Sequence, residues 1–418
     1  MGSFVSWLDH SEEDQRRVRE MLQLFSDKDT VDDLGIGTVR DAISNSLFPG
    51  TSIIQTRARY FLFIPWLFRR AEKNHVDQLV AKATDMERKL IEALRTGGDL
   101  AGLIGVEAGK NVRTLPSSIY WSGLARYGIF LAPSLSIRQY GRHVGRGLAA
   151  SDVEDEVADR STSFWQREIP DPPPNFFRFQ SASFDLTRDE AEWLSERIIS
   201  ADPLGHQASL LTSYVRDLRR GRPAPDVDAA WDAALPADTP AMMAQLVHQA
   251  ERFSCAARGA ALLYNLMLAE ARRAEYESTE RTSVDTYREL LDEWSAHSTR
   301  LHLSDWATHP DEFWNCVFSN AVRIPPPTRR FLDAWSQCLA THSGDIASSA
   351  QARDLITLRE IQHKRGQARL TNKKRLAEWS GYAGTTPLAF RWTQVQRMLR
   401  DVGSGLGESG AEGSHAVA

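Results

Sequence analysis

The chain has 418 residues, 42% of them hydrophobic and 25% charged, with a formal net charge of −5. These values are ordinary for a globular protein with room for two or three domains. They exclude a disulfide scaffold, because the three cysteines (Cys255, Cys316, Cys338) are too scattered, and no run approaches the roughly 18–20 apolar residues of a membrane span.

The opening segment MGSFVSWLDHSEEDQRR lacks the apolar core of a secretory signal, and the sparse cysteines suit a reducing compartment, so a cytoplasmic location is expected. Lysine is absent between Lys110 and Lys364 while arginine and alanine are plentiful, a bias that reads as a GC-rich bacterial genome.

Ser11, followed by Glu12, Glu13 and Asp14, caps an expected first helix carrying Val18, Met21, Leu22 and Phe25 at helical spacing. Residues 38–47 predict a second helix stopped by Pro49-Gly50, and Thr51 or Ser52 can start a third through IIQTRARYFLFI, kinked or ended at Pro65. Residues 76–94 predict an amphipathic helix closed by Gly97-Gly98. Pro116 and its serines open another, whose Ile119, Leu124 and Ile129 form an ordinary apolar stripe; a helix-turn-helix reading is the alternative.

The acidic run SDVEDEVAD and then REIPDPPPNFF mark a break. Thr187 caps an expected helix over residues 186–199, and Pro240 opens a long one whose apolar positions wrap most of its circumference, as in a central buried helix. Ile324-Pro-Pro-Pro is a further break, and GSGLGESGAEGSHAVA lacks core formers. Strand signals are weak, with candidates only at residues 4–8 and 175–184. The expected fold is therefore mainly α and multi-helical: two to three helical domains with few or no short strands. Its expected parts are a helical domain over residues 1–150, a linker over 151–174, a central helical domain over 175–323, a basic helical region over 324–402 and a disordered tail over 403–418.

Gly35-Ile36-Gly37 leads into a helix and can offer N–H groups to an anion, but it lacks dinucleotide-binding spacing, and a tight interhelical turn is the favoured reading. Arg40, Arg57 and Arg59 make a candidate anion site. On a helix Arg57 and Arg59 would diverge by about 200°, so one would face solvent or ligand while the other paired with Asp33 or Asp41.

Net charge conceals a local excess. Residues 353–400 hold eleven Lys/Arg against three Asp/Glu. Lys364, Arg365, Arg369, Asn372, Lys373, Lys374 and Arg375, together with His363, Gln362 and Gln367, are the candidate nucleic-acid contacts, with Trp379, Tyr382, Phe390 and Trp392 able to stack or to form core. A solvated helix face is the plainer alternative. His297, His302 and His309 match no zinc spacing, and no catalytic motif occurs, so no catalytic residue, metal or cofactor is expected.

The segments SFVSWLDHSEED, DLGIGTVRDAISNSLFPGTSIIQTRARYFLFIPW, LPSSIYWSGLARYGI, HQAERFSCAARGAALLYNLMLAE and RLTNKKRLAEWSGYAGTTPLAFRW resemble a bacterial family of unknown function catalogued under number 6361. The resemblance spans residues 4 to about 399 and brings no catalytic residues with it. It implies similarity to components encoded beside helicases and phospholipase-D-like nucleases in anti-phage defence loci. The expectation is a non-catalytic accessory protein that binds DNA or RNA, or a partner protein such as a helicase or nuclease. A hydrolase acting on nucleic acid, with a pocket near residues 35–59, and a purely structural subunit are the alternatives.

Overall fold

The computed structural model describes residues 32–74, 78–98, 100–149, 163–180, 182–202, 208–276, 281–318, 323–342 and 344–407. The expected first helix, the candidate strand at residues 4–8, the acidic run and the end of the tail lie outside them. The described chain is mainly α-helical, and its β-structure amounts to one isolated antiparallel bridge, Phe130 to Trp165.

The helices in chain order are α1 (Gly37–Leu47), α2 (Tyr60–Asn74), α3 (Leu79–Thr96), α4 (Pro116–Arg126), α5 (Ile137–Ala149), α6 (Arg188–Ala201) and α7 (Leu210–Arg219). Then follow α8 (Ala241–Tyr276), α9 (Arg281–Arg300), α10 (Pro310–Phe318), α11 (Pro326–His342), α12 (Ala350–Lys364), α13 (Lys373–Ala377) and α14 (Trp392–Gly407). Three expectations are corrected. The third helix begins at Tyr60 rather than at Thr51, because residues 51–59 are turns fixed by Tyr120, whose hydroxyl accepts from Thr56 N and Arg57 N at 2.8 and 3.0 Å. The described residues among 175–184 form no strand: Asn175 (φ 65°) and Phe179 (φ 53°) flank a 3-10 turn over Phe176–Arg178. The expected tail also starts later, since α14 runs through Gly407. Pro65 lies inside α2, which continues past it to Asn74.

The chain divides into two compact units. One combines the stretch ending at Ala42 with His248–Leu388; the other combines Ile43–Val247 with the stretch beginning at Ala389. These are not the consecutive segments suggested by the proline-rich breaks, because the prolines mark loops whereas the units are closed by contacts between distant stretches.

In the first unit α8 supplies a buried wall of small residues against which tryptophans dock. Trp294 and Trp335 are fully buried, and their indole N–H groups donate to the Cys255 and Ala256 carbonyls at 2.8 and 2.9 Å. Gly259 makes room for this: a Cβ there would lie 2.2 Å from the Trp294 ring. Burial pushes the Cys255 thiol up to about 12, which disfavours the thiolate, and the residue packs as core.

In the second unit the aromatic face of α2 (Phe61, Phe63, Trp66, Phe68) packs against Tyr120, Trp121, Tyr140, Trp165 and Phe176. The buried Glu87 of α3 accepts from Ser117 N and Oγ at 2.7 and 2.8 Å, satisfying the first turn of α4. Thr187 and Glu190 form the capping box that starts α6.

Candidate nucleic-acid interface

The turn before α1 is closed by its own chain. Asp32 accepts from Ile36 N and Gly37 N at 2.8 and 2.7 Å, so the N–H groups of the glycine turn that were candidates for an anion are taken by a carboxylate. Gly35 has φ +64°, and a Cβ there would lie 2.5 Å from the Arg359 guanidinium, so both backbone and space call for glycine. Arg359 donates to Leu34 O and Gly35 O at 2.6 and 2.8 Å, which fastens the turn to α12.

Behind this turn lies a buried ionic cluster. Asp33 is paired with Lys364, and Arg369 donates to the same carboxylate at 3.0 Å. Glu360 is fully buried; it accepts from the Tyr264 hydroxyl, from Arg369 N at 2.8 Å and from Leu370 N at 3.0 Å. Lys364 also reaches the Tyr264 hydroxyl at 3.1 Å. Burial and the neighbouring Glu360 carboxylate raise the Tyr264 phenol, which stays a protonated donor. Of the candidate contacts, then, Lys364 and Arg369 are engaged in the fold, with Lys364 only 15% exposed.

The other candidates lie on the surface around α13. Asn372 caps that helix, accepting from Arg375 N at 3.3 Å, and its amide donates to Gly366 O at 2.9 Å, joining the Arg365 turn to α13. Arg365 is exposed and held at φ 52°, ψ −127°, a conformation that strains an L-residue. Lys373 is 75% exposed and pairs with Glu275 at 2.7 Å; Arg375 pairs with Glu378; Lys374 is exposed.

The end of α8 adds residues that the sequence pattern did not single out. Arg272 donates to Trp379 O at 3.0 Å, the Tyr276 hydroxyl donates to Lys373 O at 3.2 Å, and Arg273 is exposed. Among the described residues this surface brings Arg272 and Tyr276 of α8 onto α13 with its Lys373, Lys374 and Arg375; the Arg365 turn is tied in through Asn372, Arg273 is exposed next to Arg272 in the chain, and Glu275 and Glu378 pair with two of the cations. Tyr276, 47% exposed, is its available aromatic, whereas Trp379, Phe390 and Trp392 are core. The pattern that reveals this is Arg-Arg-x-x-Tyr at the end of a long helix, visible only once α8 and α13 meet.

A family model described as "Family of unknown function (DUF6361)" matches residues 2–405. The chain belongs to that family. No curated protein and no solved structure matches it. The match to DUF6361 takes in the Asp33 turn, the ionic cluster and the whole α13 surface.

The remaining candidates sit elsewhere. Arg57 and Arg59 belong to the second unit and both are in buried pairs, not with Asp33 or Asp41: Arg57 Nε lies 3.0 Å from Asp401, and Arg59 lies 2.7 Å from Glu190. Burial raises the Asp401 carboxyl, with Arg57 pulling it back. Arg40 belongs to the first unit, where it pairs with Asp41 at 3.1 Å. It also lines a small cleft of about 70 Å³ with Asp32, Asp33, Arg258 and Tyr264, room for ordered water rather than for a nucleotide. Among the described residues no three His, Cys, Asp or Glu side chains group as metal ligands, and no helix is long and apolar enough to cross a membrane.

Proposed function

We propose that the α13 surface binds the phosphate backbone of a nucleic acid, and that the protein is a non-catalytic accessory component of a bacterial defence or DNA-processing system. A helicase or nuclease partner would then supply the chemistry. The observation that carries this reading is Arg365: an exposed residue on a strained backbone that glycine would adopt without strain, in a turn tied to the cationic α13 by the Asn372 amide. Strain of this kind persists where a site needs a particular side chain. Lys364 and Arg369 serve the site from beneath, by fixing the turn that carries Arg365.

The test is fluorescence anisotropy of labelled DNA and RNA oligonucleotides across a salt series. Removing Arg273, Arg365 and Lys374 together by glutamine should lower the salt slope by about 0.9 per lost contact on duplex and about 0.7 on single strands. Unchanged affinity and slope in a variant with native circular dichroism would overturn the reading.

A further inference from the structure

We infer that α5, in the second unit, is another contact surface for the phosphate backbone of nucleic acid, an inference that rests on the nucleic-acid reading above but uses none of the α13 residues. The sequence of α5, IRQYGRHVGRGLA, contains no carboxylate. One side of the helix is anchored. Tyr140 and Val144 are buried, the Tyr140 hydroxyl donates to Glu72 at 2.8 Å and accepts from Trp165 Nε1 at 3.0 Å. Gly141 packs so closely on α3 that a Cβ would lie 2.6 Å from a Val80 methyl.

The opposite side presents Arg138, Arg142 and His143, all exposed, and none of them pairs with a carboxylate among the described residues. Some exposed cations on other helices are paired along the helix, as Lys89 is with Asp85 on α3 and Arg188 with Glu192 on α6. On α5 the residue one turn from Arg138 is another arginine, a like-charge spacing that weakens a helix. The next residue on that stripe is Gly145, where an added Cβ would meet nothing within 4 Å. A glycine there also weakens the helix, with no packing constraint to require it.

Both departures favour one kind of ligand. Two guanidinium forks one turn apart can grip neighbouring phosphates, and the missing side chain lets a backbone come close to the helix. Contacts of this type position a nucleic acid without reading its sequence.

The experiment titrates labelled duplex DNA with four proteins at several salt concentrations: wild type, Arg138→Gln/Arg142→Gln, Gly145→Leu, and Arg365→Gln/Lys374→Gln. The α5 double variant should bind more weakly, with its slope reduced by about 1.8. Gly145→Leu, which should leave folding intact or strengthened, should also weaken binding by blocking close approach. If both α5 variants bind as wild type does while the α13 variant loses affinity, the α5 surface is overturned and the α13 reading stands. The reverse pattern overturns the α13 reading alone. Absence of wild-type binding at low salt overturns both.

Discussion

Asp33 and Lys364 are 331 positions apart in the chain and form one buried ion pair, with Arg369 on the same carboxylate. Removing the acid leaves two cations in a partly buried site, with Glu360, 3.4 Å from Lys364, as the remaining counter-charge. Asp33→Ala should therefore cost about 2–3 kcal/mol, less than a fully buried pair because both cations retain some exposure. Urea denaturation measures it, and a cycle with Lys364→Met should show coupling of the two sites. Additive effects would mean that the pair does not act as a unit.

Arg365 separates stability from binding. Arg365→Gly relieves the positive φ and should raise stability by about 1 kcal/mol in chemical denaturation, while nucleic-acid affinity falls. A variant that is both less stable and equally tight would contradict both halves of the argument. The neighbouring Lys364→Gln should behave oppositely, losing stability because Asp33 loses a partner.

Glu87 makes stability depend on pH. Burial, opposed by hydrogen bonds from Ser117, raises its folded-state pKa from 4.5 to about 7. Between those values the folded protein holds the proton and the unfolded chain does not. The stability tied to that proton is therefore fully present below about pH 4.5 and is lost as the pH rises to about 7, by an amount on the order of 3 kcal/mol. Glu87→Gln keeps an acceptor and a donor for Ser117 without the ionisation, so its melting temperature should exceed that of wild type at pH 8, and the two should converge near pH 5.

Gly259→Ala tests the seat of Trp294. At an ordinary helix position the change gains about 1 kcal/mol. Here the new methyl meets a buried indole, so the expected result is a loss of at least 2 kcal/mol with altered tryptophan fluorescence. A stabilised protein with an unchanged spectrum would show that the ring moves aside freely.

Much of the helical order was legible because its signals are local. Thr187 with Glu190, Pro116 and Pro240 each announce a helix start by chemistry contained within a few residues. Residues 51–59 escape a local reading for the opposite reason: their conformation is set by Tyr120 and Asp401, partners distant in sequence, so helical spacing does not describe the placement of Arg57 and Arg59. The basic segment illustrates the same limit. Composition shows that Lys364, Arg365 and Arg369 are cations, but only long-range pairing separates those holding the turn from the one presented to solvent. Arg272, Arg273 and Tyr276 enter the surface through α8, which by periodicity alone is a core helix.

The discontinuous first unit has a consequence for synthesis. The Asp33 turn emerges from the ribosome 331 positions ahead of Lys364, its mate on α12. At about 5–20 residues per second that interval is roughly 15–65 s, during which the second unit's interior stretch is complete while the turn has nothing to close on. Closure of this unit is thus a high-contact-order event, and the synthesis of α12 and α13 times when the α13 surface comes into being.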